Sequence, residues 1–250
     1  MSKSQYLLTS LQKSLKVLDV LSQADEMTLT EIKEKTGFDN TSIYRMLYTL
    51  ELENYIEKTP KSTYHLGTKF ISYGEKLKSR FSIATLIKDD MADLAKNLGQ
   101  TIYLGTLTNT GKVAFIHRED SPSGVQVSVP AGHSTKAFNS ALGKIQLAFM
   151  SDQERLEYLE KFQNILSDEQ ILALHGELNQ AKALGYTIDC DEHFKGFGSF
   201  AVPILDDKGA CQGALGIVAV ASQIKLLIDA YLPQMTAAAH AMTSKISSKP

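Results

Sequence analysis

The sequence predicts an α+β protein, with an N-terminal winged helix-turn-helix at residues 1–67, a helical linker at 68–80 and a larger domain at 81–250. Three observations support this fold class. Three short helical patterns and a Pro-containing hairpin follow one another up to Gly67. The helical pattern then continues over residues 68–98, with a polar break near residues 78–80. After Gly99 the sequence is rich in β-branched residues, which predicts a domain built on one antiparallel sheet.

The first two helices are predicted from their apolar spacing and their end residues. A helix is expected at residues 10–22, with Ser10 as its N-cap. Four leucines recur there at a helical period, namely Leu11, Leu15, Leu18 and Leu21. Thr28 and Glu31 form a capping-box pattern in front of a second helix, expected at residues 29–36. Gly37 can end this helix in the left-handed conformation.

The third helix, expected at residues 40–53, has the features of a DNA-recognition helix. Its apolar residues form one stripe, and its opposite face is polar. In a helix-turn-helix the N-terminal part of the second helix enters the major groove, where such groups reach phosphates and base edges. Six residues of this face are therefore expected to contact DNA: Asn40, Thr41, Ser42, Tyr44, Arg45 and Tyr48.

A hairpin is predicted after this helix, because two strand-like runs at 55–58 and 63–67 flank a turn that contains Pro60. This hairpin is interpreted as the wing. Lys58 and Lys61 lie on it and are expected to touch flanking phosphates of the DNA.

The larger domain is expected to contain both strands and helices, arranged as an α+β domain with one antiparallel sheet. The predicted strands are at 101–108, 112–118, 125–129, 186–190, 199–205 and 212–220, and the predicted helices are at 140–150, 151–162, 168–184 and 222–246.

Charge and cysteine usage are compatible with these assignments. Residues 1–80 carry a net charge of +2 and residues 81–250 one of −4, so the predicted DNA-binding part is the mildly basic one. Two cysteines are too few for a disulfide framework. No apolar run is long enough for a membrane helix, and the N-terminus lacks the apolar core of a signal peptide. A cytoplasmic protein without metal or cofactor is expected.

The sequence resembles the IclR family of transcription regulators over nearly the whole chain. The resemblance is carried by LTEI at 29–32, TSIYRML at 41–47, YHLG at 64–67, ALGK at 141–144, LGY at 184–186 and AVPI at 201–204. It implies a GAF-like C-terminal domain that binds a small effector. It also implies a homodimer or homotetramer that binds double-stranded operator DNA and acts as a repressor or activator of a catabolic operon. Effectors in the family are often small organic acids, aromatic acids or sugar acids.

The resemblance also implies the position of the effector pocket. Asn139, Ser140 and Ala141 lead into the helix at 140–150, and backbone N–H groups at a helix N-terminus can hold an acid. The family places an aspartate and, ten positions later, a cysteine in the same pocket. These positions hold Asp189 and Ser199 here. A hydroxyl in place of the thiol predicts an effector more polar than a short α-keto acid.

Two alternative functions are compatible with parts of the sequence. A winged helix can serve contact with another protein instead of DNA. Ser199, His193 and Asp189 can also be drawn as the nucleophile, base and orienting acid of a hydrolase. The nucleophile-elbow motif is missing around Ser199, however, and no metal-ligand spacing occurs, so an enzyme is not expected.

Overall fold

The computed structural model describes residues 7–80, 82–121, 129–162, 164–190 and 195–247. The chain divides into two compact units after Arg80. The first unit contains the helices α1 (Thr9–Leu21), α2 (Leu29–Thr36), α3 (Asn40–Leu52) and α4 (Lys69–Arg80) and the strands β1 (Met27–Thr28), β2 (Ile56–Lys58) and β3 (Thr63–Leu66).

A small apolar core holds the winged helix together. Its buried residues come from α1, α2, α3 and all three strands. The stripe Ile43, Leu47 and Leu50 is the buried side of α3, as its spacing predicts. β3 lies between β1 and β2 in an antiparallel sheet, and Met27 of β1 is paired with Tyr64 of β3. The wing hairpin is thereby tied to the residue that precedes the cap of α2.

The ends of α2 follow the predicted capping pattern. The Glu31 N–H donates to Thr28 Oγ1 at 3.3 Å, and the Thr28 N–H donates to Glu31 Oε2 at 2.7 Å. The two bonds complete a capping box. Gly37 ends the helix at φ 69°, a left-handed conformation that favours glycine.

The prediction for α1 was right about the helix and wrong about its start and its buried face. The helix begins at Thr9, and no side-chain hydrogen bond is made at the N-cap. Leu11 and Leu15 are more than half exposed, whereas Val17 and Leu21 are buried. Apolar residues occur on more than one side of this helix, so periodicity alone did not determine which side would meet α2 and α3.

The second unit packs helices on both faces of an antiparallel sheet. In the described part of the chain its strands are β4 (Ile102–Leu107), β5 (Lys112–Glu119), β6 (Ser134–Lys136), β7 (Thr187–Cys190), β8 (Phe197–Leu205) and β9 (Cys211–Val220), in the order β6-β5-β4-β9-β8-β7. The helices are α5 (Ser82–Leu86), α6 (Lys88–Leu98), α7 (Ala141–Ala148), α8 (Asp152–Glu160), α9 (Asp168–Leu184) and α10 (Ile224–Ser247). The predicted α+β class is confirmed.

The two faces of the sheet have separate apolar cores. One core lies between the sheet and α5, α6 and α10, and it includes Leu104, Phe200 and Leu215. The other lies between the sheet and α7, α8 and α9, and it includes Tyr103 and Ala201. Adjacent residues of one strand therefore serve opposite cores, as the alternation of a β-strand requires.

Some predicted elements differ from the observed ones. The helical stretch after residue 67 is divided into α4, α5 and α6. The strand expected at 125–129 lies outside the described residues except for Val129, which is in no strand. β6, which pairs with β5, was not predicted. No helix among the described residues is long and apolar enough to span a membrane.

Candidate DNA-binding face and effector site

The start of α3 is fixed by Asp39. Its Oδ1 accepts a hydrogen bond from the Ser42 N–H at 2.9 Å, and its backbone is extended, as an N-cap requires. Hydrogen bonds from the Ser42 side chain and N–H lower the pKa of the Asp39 carboxyl below its ordinary value. Ser42, a predicted DNA contact, therefore already has an intramolecular partner in Asp39, and it is half-buried.

The other five predicted residues of α3 form one exposed face. Tyr44 and Tyr48 are 60% and 61% exposed. Asn40, Thr41 and Arg45 are exposed as well. The pairs 41/44, 41/45, 44/48 and 45/48 are each three or four residues apart, so these positions lie on one side of the helix. This side carries a guanidinium, two phenol hydroxyls and short polar groups, which are donors that suit phosphates and base edges.

The hairpin carries the two predicted wing lysines. Lys58 lies at the end of β2 with its Nζ 5.6 Å from the centroid of the Tyr64 ring. Lys61 is exposed in the turn. The Ser62 N–H closes that turn by donating to the Thr59 carbonyl at 2.9 Å, with Ser62 at φ 61°. Both lysines are therefore presented from a hairpin of fixed geometry.

Asp189 and Ser199 are brought together by strand pairing. They are Cα partners across β7 and β8, and the Ser199 hydroxyl donates to Asp189 Oδ2 at 3.5 Å. Both residues are 5% exposed. Val218 of β9 is paired with Ser199 on its other side, so the three residues form one row across the sheet. The row shares the face of Ala201, which belongs to the core beneath α7.

α7 lies close against this face of the sheet. A Cβ on Gly105 or on Gly216 would come within 3.0–3.2 Å of Leu142, so these glycines make room for the helix. A Cβ on Gly143 would overlap the backbone of Ala137. Small residues on the strands and on the helix therefore determine how near α7 comes to the row formed by Asp189, Ser199 and Val218.

The predicted pocket residues at 139–141 occupy the start of α7. Asn139 is half-buried, Ser140 is 4% exposed and Ala141 is fully buried. The Ser140 carbonyl accepts hydrogen bonds from the N–H groups of Gly143 and Lys144 at 3.0 and 2.8 Å. Its side chain makes no cap hydrogen bond to the first turn. The first N–H groups of α7 are thus not capped by the Ser140 side chain, which suits the binding of an anion.

Two buried polar side chains hold α7 in place. Gln146 Nε2 donates to the Gly105 carbonyl at 3.3 Å, and its Oε1 accepts from the Leu107 N–H at 3.0 Å. Lys144 Nζ donates to Glu177 Oε1 at 2.7 Å. These bonds connect α7 to β4 on one side and to α9 on the other.

Tyr103 is a further residue of this face that the sequence analysis missed. It is fully buried on β4, where it is paired with Gly216. Its hydroxyl accepts a hydrogen bond from the Val129 N–H at 3.2 Å. Burial raises its pKa, so the phenol stays neutral. The alternation of residues along β4 could have placed Tyr103 on this face, because Tyr103 and Leu107 point to the same side of the strand.

The structure gives no support to the hydrolase arrangement. Ser199 donates directly to Asp189, and His193 lies outside the described residues. No group of three or more His, Cys, Asp or Glu residues in the described part of the chain is arranged to hold a metal ion. Burial raises the pKa of the Cys211 thiol to about 12, so that thiol is protonated at neutral pH.

A winged helix followed by a larger α+β domain is typical of DNA-binding transcription regulators. Two family models match the chain in this order. The model described as the IclR helix-turn-helix domain matches residues 10–60, and the model described as the bacterial transcriptional regulator IclR C-terminal domain matches residues 76–248. The chain belongs to the IclR family, and it is a regulator rather than an enzyme.

Individual relatives agree with this assignment. The HTH-type transcriptional regulator XynR of Escherichia coli (strain K12) is 26% identical over 224 residues, which cover 87% of this chain and 88% of XynR. The crystal structure of the Thermotoga maritima IclR has 24% identity and a TM-score of 0.72, covering 96% of this chain and 99% of that one. An IclR homolog from Microbacterium hydrocarbonoxydans, solved in complex with 4-hydroxybenzoate, has 17% identity and a TM-score of 0.70, covering 96% and 98%.

Proposed function

We propose that this protein regulates a catabolic operon in response to a small hydroxylated organic acid, such as a sugar acid, and binds its operator as a homodimer or homotetramer. The observation that carries the proposal is the buried Asp189–Ser199 pair, which lies on the face of the sheet that α7 covers. The first turn of α7 is not capped by the side chain of Ser140. The Asp189–Ser199 pair favours a hydroxyl of the ligand, and the first turn of α7 favours its carboxylate.

The chemistry of the two features defines the effector class. A helix N-terminus favours negative charge, so α7 is assigned the carboxylate of the effector. Asp189 repels a carboxylate but accepts a hydrogen bond from a hydroxyl. Its bond to Ser199 is 3.5 Å long, well beyond the usual 2.5–3.0 Å between oxygens, so an effector hydroxyl can make shorter bonds to these groups.

The relative from Microbacterium hydrocarbonoxydans supports this assignment by analogy. Its ligand, 4-hydroxybenzoate, also combines one carboxylate with one hydroxyl. In the present chain we assign the hydroxyl to Asp189 and Ser199, and the carboxylate to the residues Asn139, Ser140 and Ala141.

On the DNA side, the exposed face of α3 is assigned to the major groove and the wing lysines to the adjacent phosphates. Arg45 is the cation of that face, and Lys58 and Lys61 are those of the wing. With so few positive charges, a single copy of the protein binds DNA weakly. Two copies bound at once to neighbouring half-sites raise the affinity strongly, which is the reason for proposing a homo-oligomer.

The effector acts by shifting the population of DNA-bound protein. A ligand changes that equilibrium only by its differential affinity for the DNA-bound and free arrangements. The same geometry therefore supports either release from the operator or recruitment to it, and the sign follows from which arrangement the effector binds more tightly.

Two measurements test the proposal. Footprinting of the upstream region of the protein's own gene, at two salt concentrations, should give a defined protected site whose occupancy falls steeply with salt. A thermal-shift screen of sugar acids, aromatic hydroxy acids and keto acids should show the largest rise in Tm for hydroxylated acids. Absence of a footprint at low salt would overturn the DNA-binding part, and a larger shift with unhydroxylated keto acids would overturn the effector class.

A further inference from the structure

The C-terminal end of α3 is bonded to the first residue of α4. Glu53 is the C-cap of α3, and its carbonyl accepts a hydrogen bond from Lys69 Nζ at 3.0 Å. Carbonyl groups at the end of a helix have no partner within it, and the helix dipole makes that end negative. An ammonium group at this position therefore supplies both a donor and a favourable charge.

The ammonium of Lys69 also lies against an aromatic cluster. Its Nζ is 4.2 Å from the centroid of the Tyr55 ring, well within the range of a cation–π interaction. The ring of Tyr55 is 5.6 Å from that of Phe70 and 6.1 Å from that of Tyr73. The hydroxyls of Tyr55 and Tyr73 are 3.0 Å apart and hydrogen-bonded. Residues just after α3 thus contact two successive turns of α4.

Backbone contacts reinforce the same connection. The Gly67 N–H donates to the Tyr55 carbonyl at 2.8 Å, and a Cβ on Gly67 would lie 2.6 Å from the Asn54 carbonyl oxygen. Only glycine allows the chain to approach this closely. The Thr68 N–H donates to Glu57 Oε1 at 3.1 Å. We name the set Glu53, Tyr55, Lys69, Phe70 and Tyr73 the α3–α4 junction.

We propose that Lys69 is a positioning residue for DNA recognition, which holds the recognition helix and α4 in one orientation through the α3–α4 junction. The proposal rests on the proposed function only in taking α3 as the helix that enters the groove. α3 has 13 residues and is therefore about 20 Å long. Lys69 lies at the end away from Asn40, whereas a recognition helix contacts base edges with its N-terminal residues.

This position separates the role of Lys69 from that of a lysine that binds phosphate. A phosphate contact contributes to the salt dependence of binding, because it releases counterions from the DNA. A positioning residue changes the affinity without changing the number of neutralised phosphates. Because the two helices share these contacts, we expect a rotation of α4 to be transmitted to α3.

The test compares Lys69→Met, Lys69→Arg and Lys61→Met in the full-length protein, with the footprinted operator duplex as the probe. Lys69→Met is expected to weaken binding about tenfold with an unchanged slope of log K against log salt, whereas Lys61→Met lowers the slope by about one. Lys69→Arg should recover binding to within about twofold, because arginine keeps the charge and stacks on aromatic rings.

Hydrogen exchange of the DNA-free protein provides the second readout. Lys69→Met should speed exchange in peptides that span residues 50–56 and leave those of the second unit unchanged. Tyr73→Phe, which removes a single hydroxyl from the junction, should act in the same direction to a smaller degree. This measurement needs no DNA, so it tests the junction even if the operator duplex is not bound.

Three results would overturn the proposal. One is a slope that falls as much for Lys69→Met as for Lys61→Met, which would make Lys69 a phosphate contact. Another is unchanged affinity of Lys69→Met. The third is unchanged exchange at residues 50–56 in both Lys69→Met and Tyr73→Phe. The two proposals can also fail separately. If the wild-type protein binds no duplex but Lys69→Met still speeds exchange, the proposed function is wrong, while the structural role of Lys69 in the α3–α4 junction is supported.

Discussion

Lys144 Nζ lies 2.7 Å from Glu177 Oε1, and the two partners differ greatly in exposure. The side chain of Lys144 is 2% exposed and that of Glu177 is 40% exposed. The ammonium is therefore inside the second unit, and the carboxylate that neutralises it stands at the surface of α9. Removing a buried charge has a different energetic effect from removing its acceptor.

We therefore expect two substitutions in this pair to change the free energy of unfolding by different amounts. Glu177→Ala leaves the ammonium buried with fewer acceptors and should lower the free energy of unfolding by about 2 kcal/mol. Lys144→Met removes the charge, keeps most of the volume and should change it by less than about 1 kcal/mol, because Glu177 can be hydrated. Urea unfolding measures both, with Lys182→Met on the exposed side of α9 as the control. Equal destabilisation by both variants would contradict this account.

Two helical glycines should respond oppositely to alanine. A Cβ on Gly143 would overlap the Ala137 backbone, whereas one on Gly176 in α9 would meet nothing within 4 Å beyond the nearby backbone of its own helix. Gly143→Ala should destabilise the second unit by about 3 kcal/mol, since neither backbone segment can move freely. Gly176→Ala should stabilise it by about 0.5–1 kcal/mol through the entropy of the unfolded chain. Thermal unfolding distinguishes the two, and a stable Gly143→Ala protein would show that α7 can shift on the sheet.

The cap of α3 should make the winged helix sensitive to acid. Hydrogen bonds to Ser42 hold the pKa of the Asp39 carboxyl below its ordinary value of 3.8. A depressed pKa in the folded state stabilises the fold above the unfolded value, and this contribution is lost as the pH falls through the folded value. The Tm difference between the wild type and Asp39→Ala should therefore shrink between pH 6 and pH 3. Asp39→Asn keeps an acceptor but does not titrate. The difference in Tm between Asp39→Asn and Asp39→Ala should therefore stay constant over that range.

The effector site gives a prediction in which DNA binding is the control. Asp189→Asn keeps the shape of the side chain but removes the charged acceptor assigned to the effector hydroxyl. The Kd of the acid with the largest thermal shift should rise about tenfold, the loss expected for one charge-assisted hydrogen bond. Affinity for the operator without effector should stay within about twofold. Parallel loss of both activities would indicate that Asp189 supports the fold rather than the ligand.

Local features of the sequence were enough to predict local structure. The capping box of Thr28 and Glu31 involves residues three positions apart, and Gly37 ends α2 by its own conformation. The buried stripe of α3 follows from one helical period. In each case the partners are close in sequence, so the physical cause is contained in a short segment.

Features that depend on distant partners were not predictable in this way. Leu11 and Leu15 are exposed because α2 and α3 cover another side of α1. The three residues of β6 are strand only because they pair with β5. Lys69 was missed because its acceptor is a backbone carbonyl, which no residue pattern marks. Asp189 and Ser199 were placed by the resemblance, and their direct hydrogen bond appears only in the paired strands.

The two sides of α3 have a consequence for how such a regulator evolves. Ile43, Leu47 and Leu50 anchor the helix, while Tyr44 and Arg45 on the other side contribute nothing to that core. Substitutions of exposed residues usually change stability by no more than about 0.5 kcal/mol. A duplicated copy of this gene can therefore acquire a new target sequence one residue at a time, through intermediates that keep the core of α3.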